Sequence, residues 1–558
     1  MIATIRKLWY GLRERLPEVL LGFFLLSLLP LAVLLVLSLY RQAASFAAAP
    51  GDHARALLVD RWTVLAAVVF AAGVGLLIYL IARHWTNVWA VARKMIQEAL
   101  HRRVIIVLVL FVLVLIPSLP FLLETEGNMV SQVQLVLLYS LCLALVLLSL
   151  VAIFLTTSSI CGEVERKEVH ITDTKPIRRW QFLMGKWLGV IVLCTAALSV
   201  MTGSALGLVL YLTRPVDYSQ MTAEEIAQHR KEREELGEKV FIARRTVTIP
   251  PPPFTEEMEQ DVKEWHARQK RAIAVHSYRE SLLREHWRKQ QTVPPGGRLW
   301  WRFTGLNADQ EGNLQVRFKL FAHGAAGALG KFWPAELTAA QSEESGEKRL
   351  RPRYAGPSVN SPPGGWATNS VHEITIGGQY VDENGHFWLA FENWTRGAVT
   401  FDVEPPIEVL QKTGSFLPNI YRSLVVLVLH VALVAALGLM AGSLFSFPVA
   451  SLLVFCFFLG GLMASWFHGE FVEPNIYAEL TPVTIWLDRL WRGFAGAIIA
   501  IMPDFGRYSP LGRLVNGEVV GMGRVAVAGA MLMVVKGGVA LGVGMFFYAR
   551  RELARIIV

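Results

Sequence analysis

Apolar and polar stretches divide this chain before any single residue is considered. About eight apolar runs read as membrane helices, near 19–40, 63–83, 104–124, 132–158, 187–212, 418–441, 447–467 and 523–548. A helix needs about 20 apolar residues to cross the hydrocarbon core. One long polar stretch, near 213–416, separates the fifth run from the sixth. Its first part, 222–291, is rich in Glu, Lys, Arg and Gln around Pro250–Pro253 and predicts charged helices near 222–237 and 255–290. Its second part alternates. Leu314 to Leu320 reads as a half-buried strand, Asn384-Gly385 predicts a hairpin between Gly377–Val381 and Phe387–Phe391, and Ala398–Val403 predicts another strand. Short strands with turn signals suggest a β-sandwich.

Composition agrees with a bilayer. Hydrophobic residues are 53% and charged residues 18%, against about 25% charged in soluble domains. The run at 19–40 follows basic residues but is longer than a signal-peptide core, so a retained helix is expected. The net charge of +9 fits basic cytoplasmic flanks. No zinc-finger or RNP-like pattern points to nucleic acid. The four cysteines give no disulfide framework and no metal-ligand set, and three of them lie inside apolar runs.

Basic residues also set sidedness. Arg93, Lys94, Arg102 and Arg103 fall between the second and third runs, and Arg166, Lys167, Lys175, Arg178, Arg179 and Lys186 between the fourth and fifth. Both segments and the Arg550-Arg551 tail are expected on the cytoplasmic side. The polar insert then falls outside, because long domains translocate largely regardless of charge.

The segment 161–186 is the most informative. It starts with Glu163 and Glu165, which would suit a helix N-terminus. Pro176 then stops a helix, and the chain re-enters the membrane past Arg179, Phe182, Gly185 and Lys186. Physics alone leaves two readings: a rigid knuckle that docks a soluble partner, or an ordinary solvated loop. Lys536 is a charge inside the last run; it is either functional or a lysine that faces a cavity between two chains or pairs with a helix carbonyl. The segment 486–501 carries Trp486, Leu490, Trp491 and Phe494 on one helical face and reads as an interfacial or re-entrant helix, with a further span as the alternative.

The segment 163–186 resembles the cytoplasmic loop of ABC-2-type ABC transporter permeases. The matching positions are Glu163, Glu165, Lys175, Pro176, Arg179, Phe182, Gly185 and Lys186; Glu168 and Asp173 depart from the pattern. Residues 88–103, with Trp89, Arg93, Lys94, Glu98, Arg102 and Arg103, are similar to that family's amphipathic connector helix. Phe445–Ala450 resembles a tight turn between core helices. Met502–Tyr508 with Asn516-Gly517-Glu518 resembles the external segment before the last one. The likeness covers about 86–212 and 417–558.

The resemblance implies a permease-like core and a loop that couples to an ATPase subunit. It implies a second permease chain, identical or similar. ATP and Mg would be bound by the ATPase. This chain has no P-loop, no catalytic constellation and no metal site. The expected organisation is a two-helix hairpin (1–85), a first core part (86–212), an external α+β insert (213–416) and a second core part (417–558), in the bacterial cytoplasmic membrane. The expected function is export of an unknown substrate. A membrane sensor or scaffold is the main alternative, and a membrane enzyme acting on lipid or cell-wall precursors a weaker one.

Overall fold

In the computed structural model, the described residues are 85–101, 104–122, 129–166, 177–213, 223–269, 275–307, 312–324, 327–341, 348–404, 406–464 and 502–550, with single positions between 486 and 496. The expected spans at 19–40 and 63–83 lie outside them. The described chain forms two compact units. One holds the residues up to Phe241, those from Phe416 to 464 and those from 502 onward; the other holds Ile242–Ser415.

The first unit is helical. Its helices are α1 Trp85–His101, α2 Val104–Leu122, α3 Met129–Glu165, α4 Arg179–Leu212 and α5 Ala223–Lys239. Numbering in chain order, with α6 and α7 in the other unit, it continues with α8 Phe416–Leu444, α9 Phe447–Leu462, α10 Phe505–Tyr508, α11 Leu511–Val515 and α12 Met522–Arg550. Four of these, α3, α4, α8 and α12, are long and apolar enough to cross a membrane, with 37, 34, 29 and 29 residues. Pro448 sits in the first turn of α9, where its missing N–H costs nothing.

Small residues let the long helices approach. A Cβ on Gly438 of α8 would meet the Thr156 side chain of α3, and one on Gly442 would lie 3.4 Å from Ile160 Cβ. Thr156 and Thr157 return their hydroxyls to their own helix, at 2.6 Å from Ala152 O and 2.7 Å from Ile153 O. That satisfies them where no water competes. Trp187 of α4 donates its indole N–H to Ala432 O of α8 at 2.9 Å. The same logic holds α8 to the chain before α12. Asn419 donates to Glu518 O and accepts from Val520 N, each at 2.8 Å.

The second unit contains α6 Glu256–Gln269, α7 Val275–Gln290 and thirteen strands among the described residues, β1 Ile242–Thr248 to β13 Glu408–Ser415. One sheet runs β1-β13-β4-β12-β2, with β10 also paired to β4; another runs β3-β11-β6-β7, with β8 also on β6. Here β2 is Thr292–Val293, β3 Arg298–Thr304, β4 Asn313–Ala322, β6 Gly330–Gln341, β7 Lys348–Tyr354, β8 Val359–Asn360, β10 Val371–Gly377, β11 His386–Asn393 and β12 Val399–Phe401. The sheet curls because β4 pairs with β13 through Leu314–Arg317 and with β12 through Leu320–Ala322. Phe318 of β4 meets Phe332 of β6 at 4.6 Å between ring centroids, and Phe401 meets Phe391 at 5.0 Å. These rings form one buried aromatic core.

Two expectations for this unit are corrected. Asn384-Gly385 does make a turn, with Gly385 at φ +74 and its N–H bonded to Asp382 O. The flanking segments form no hairpin: Gly378–Tyr380 is a 3-10 turn, β10 pairs with β4, and β11 pairs with β3 and β6. The turn passes the chain between sheets, and local turn chemistry does not say which strand receives it. The second correction is β1, which stands where the charged segment predicted no strand. It pairs with β13, more than 150 positions along the chain, and carries the buried Arg244, hydrogen-bonded to Gln315. Asn393 of the Asn393-Trp394-Thr395 sequon is fully buried, its amide bonded to Val293 O, Pro294 O and Gly397 O. Its side chain serves the fold.

Candidate functional site

The site grows from two helices that outrun a bilayer. At 1.5 Å per residue α3 is roughly 55 Å long and α4 roughly 51 Å, against about 30 Å of hydrocarbon. Their overhanging ends flank the loop 166–178. Glu163 and Glu165 therefore lie in the last turn of α3, not at a helix N-terminus as their sequence position suggested. The dipole disfavours carboxylates there, so something must offset them.

Lys186 does so for Glu163. Its Nζ lies 2.7 Å from Glu163 Oε2 and donates to Ser159 O at 2.9 Å. The lysine side chain is 3% exposed and the glutamate 12%. The ammonium also sits 4.6 Å above the Phe182 ring. A buried ammonium is tolerable only when paired in this way. The two ends of the loop are thus pinned together. Glu165, two residues on, is exposed. Lys175 and Pro176 lie outside the described residues.

The second contact is α1 against α4. A Cβ on Gly185 would lie 2.6 Å from Val91 Cβ and 2.7 Å from Val88 O; one on Gly189 would lie 2.9 Å from Ala92 O. These two glycines, one helical turn apart, form a groove for α1. Val88, Ala92, Met95, Ile96 and Ala99 of α1 are buried, while Lys94 is exposed. Trp89 is half-buried against the same core, and Arg93 and Glu98 are partly buried. Arg102 and Arg103 lie outside the described residues.

The third contact joins the loop to the end of α12. Arg179 Nη1 donates to Ala549 O at 2.6 Å and to Tyr548 O at 3.4 Å, a cation on the exposed carbonyls of a helix C-terminus. Phe182 stacks on Tyr548, 5.8 Å between centroids and 11° between planes. Gly544 brings α12 within van der Waals reach of Met440 and Leu183. Tyr548 and Gly544 were not singled out from sequence, because their partners are hundreds of residues away.

Lys536 lies in a π-helical stretch of α12, Gly529–Gly537, and bonds Met502 O. Its acceptor is the bend before α10, not a helix carbonyl. Asp504 caps α10 through Arg507 N at 2.9 Å. Among the single positions described near 490, Trp486, Leu490, Trp491 and Phe494 are all more than half exposed; the rest of 465–501 lies outside the described residues.

The pinned loop, α1 seated on glycines and the long apolar helices α3 and α4 fall within one stretch of chain. Residues 89–227 match the family model described as ABC-2 family transporter protein. This stretch belongs to the ABC-2 transporter family. The match supports an ABC transporter permease at the family level, and the four helices long and apolar enough to cross a membrane support a multi-pass membrane protein. The ABC-2 match spans α1 from Trp89 through the start of α5, and so contains Glu163, Lys186, Gly185 and Gly189. The motifs after residue 417 lie beyond it. No curated protein and no solved structure matches the chain. Among the described residues no group of His, Cys, Asp and Glu could hold a metal ion.

Proposed function

We propose that the chain is the transmembrane subunit of an ABC exporter, driven by ATP hydrolysed on a separate cytoplasmic subunit that docks on the loop 163–186. The observation that carries this reading is the Lys186–Glu163 pair. It closes the base of the loop, while Gly185 and Gly189 fix the same helix end to α1. A push on the loop then moves α1, α3 and α4 together, as a lever requires. Glu165 is the exposed acidic group at this end, and it is the residue that meets the partner. Glu163, Lys186 and Arg179 face the protein's own chain and act by holding the lever stiff.

In this reading the loop is cytoplasmic, ATP and Mg belong to the partner, and two permease chains enclose the path. The unit 242–415 lies on the outer side of the bacterial inner membrane, as an α+β domain of sandwich type that gates the exit or meets an envelope component. The test is affinity purification of the tagged chain in mild detergent. A P-loop ATPase should accompany wild type and be lost from Glu165→Lys. A clean chain with no ATPase, from cells that express one, overturns the reading in favour of a sensor or scaffold.

A further inference from the structure

The sheet β3-β11-β6-β7 carries a patch of rings and charges on its outer face. Side chains alternate along a strand, so Phe332 and Phe391 enter the aromatic core while Lys331, Trp333 and Glu392 face away from it. Glu392 Oε1 accepts a hydrogen bond from Arg298 Nη2 at 3.3 Å, and Lys331 Nζ lies 3.4 Å from Glu392 Oε2. The same ammonium lies 5.4 Å from each of three ring centroids, those of Trp333, Tyr354 and Trp394. Trp333 is fully buried, and Tyr354 stacks on it at 4.5 Å between centroids. Tyr354 and Trp394 themselves stand 46% and 49% exposed. Trp394 is fixed from its backbone, where its N–H bonds Leu329 O at 2.9 Å. Two exposed rings are thus held beside one ammonium on a strand base. An ammonium carries three donors, and the carboxylate of Glu392 draws on one side of it, so donors remain beside the rings.

The surroundings select the ligand. A ligand cation is disfavoured, because Lys331 already holds the cation–π position over these rings. A nucleic-acid strand needs a cationic groove along its backbone, whereas Arg298 and Lys331 share one carboxylate and leave a single net charge. A stable protein interface takes about 800 Å² from each partner. Two half-exposed rings of about 150–250 Å² each supply roughly a quarter of that. A sugar meets all three conditions. The apolar C–H face of a pyranose lies flat on an aromatic ring, its hydroxyls accept from an ammonium, and one or two such rings cover a patch of this size.

We propose that Trp394, Tyr354 and Lys331 form a carbohydrate-binding site on the second unit, which takes one or two pyranose rings of a glycan. The sugar faces stack on Trp394 and Tyr354, and Lys331 donates to their hydroxyls. Arg298 and Glu392 position the lysine. Sugar binding at this face needs neither an ATPase nor transport, so its failure leaves the exporter reading standing, and the reverse holds too.

The test is retention of the full chain, in a detergent without a sugar headgroup, on an array of immobilised oligosaccharides built from neutral, N-acetylated and uronic-acid sugars. Wild type should be retained on at least one of these classes. Affinity there should fall about tenfold in Trp394→Ala, as loss of one stacked ring implies, and by a similar factor in Lys331→Met. Trp394→Phe keeps a ring in place and should retain most of the binding. Retention of wild type on no oligosaccharide, or equal retention of wild type and Trp394→Ala, overturns the proposal. A loss as deep in Trp394→Phe as in Trp394→Ala overturns the stacking role. A polyglutamate peptide or a single-stranded oligonucleotide that displaces the sugar at matched concentration overturns the carbohydrate in favour of a polyanion.

Discussion

Lys186 Nζ reaches Glu163 Oε2 at 2.7 Å, across a loop that separates the two residues by 23 positions. The pair joins the last turn of α3 to the second turn of α4. It sets the geometry of everything the loop could transmit.

Breaking this pair from one side should be costly. Lys186→Met leaves a mostly buried carboxylate, and Glu163→Gln leaves a buried ammonium. Each should destabilise by about 3 kcal/mol. The double variant should lose less than the sum of the singles, because it strands no charge. A double-mutant cycle on the thermal unfolding of the detergent-solubilised chain measures the coupling. Additive losses would mean that the two groups do not interact.

Gly185 offers a steric test. Alanine there adds a Cβ 2.6 Å from Val91 Cβ, so α1 must shift or the helix must bend. Overpacking of this kind costs about 1–3 kcal/mol. The thermal unfolding temperature of the detergent-solubilised chain should fall on Gly185→Ala and stay unchanged on Gly203→Ala, where a Cβ meets nothing within 4 Å; equal temperatures for the two variants would contradict the close approach of α1.

Arg179 is expected to hold the end of α12 rather than a partner. Arg179→Ala removes the donor to Ala549 O and Tyr548 O and should cost about 1.5 kcal/mol, as for a hydrogen bond to a charged group. Limited trypsin digestion should then cut faster at Arg550. Unchanged cleavage would show that this bond contributes nothing to the tail.

The second unit carries an acid-sensitive group. Burial alone would push the Glu392 carboxyl up, but the hydrogen bond from Arg298 and the Lys331 ammonium 3.4 Å from Oε2 hold it below the usual carboxylate range. The folded pKa is thus the lower one. The stabilisation is fully present above the unfolded value, about pH 4.3, and is lost as pH falls through the folded value. Glu392→Gln should lower stability at pH 7 and flatten the acid limb of a melting-temperature profile of the full chain. A profile parallel to wild type would contradict this.

The apolar helices were legible because their signal is local: α3, α4, α8 and α12 each announce themselves by length and continuous hydropathy. The strand at Leu314–Leu320 was legible from strict alternation. The roles of the loop residues were not. Glu163 and Glu165 read alike in sequence, yet one is mostly buried against Lys186 and the other exposed, because residues two apart point to opposite sides of α3. Lys186 and Arg179 look like a basic surface, and each is committed to an acceptor that only the folded chain supplies. Gly185 was noted as part of a motif; that it seats Val91 follows from the crossing of α1 and α4. The strand β1 was hidden because its pairing partner lies at the far end of its domain.

The claim that the loop meets an ATPase is tested most directly by site-specific photocross-linking in membranes. A photoreactive residue is placed at Glu165, and in a second chain at Leu183, which is fully buried. The account predicts an adduct with a P-loop ATPase from position 165 and none from 183. Absence of any such adduct from 165, with the ATPase present and the chain folded, would contradict it.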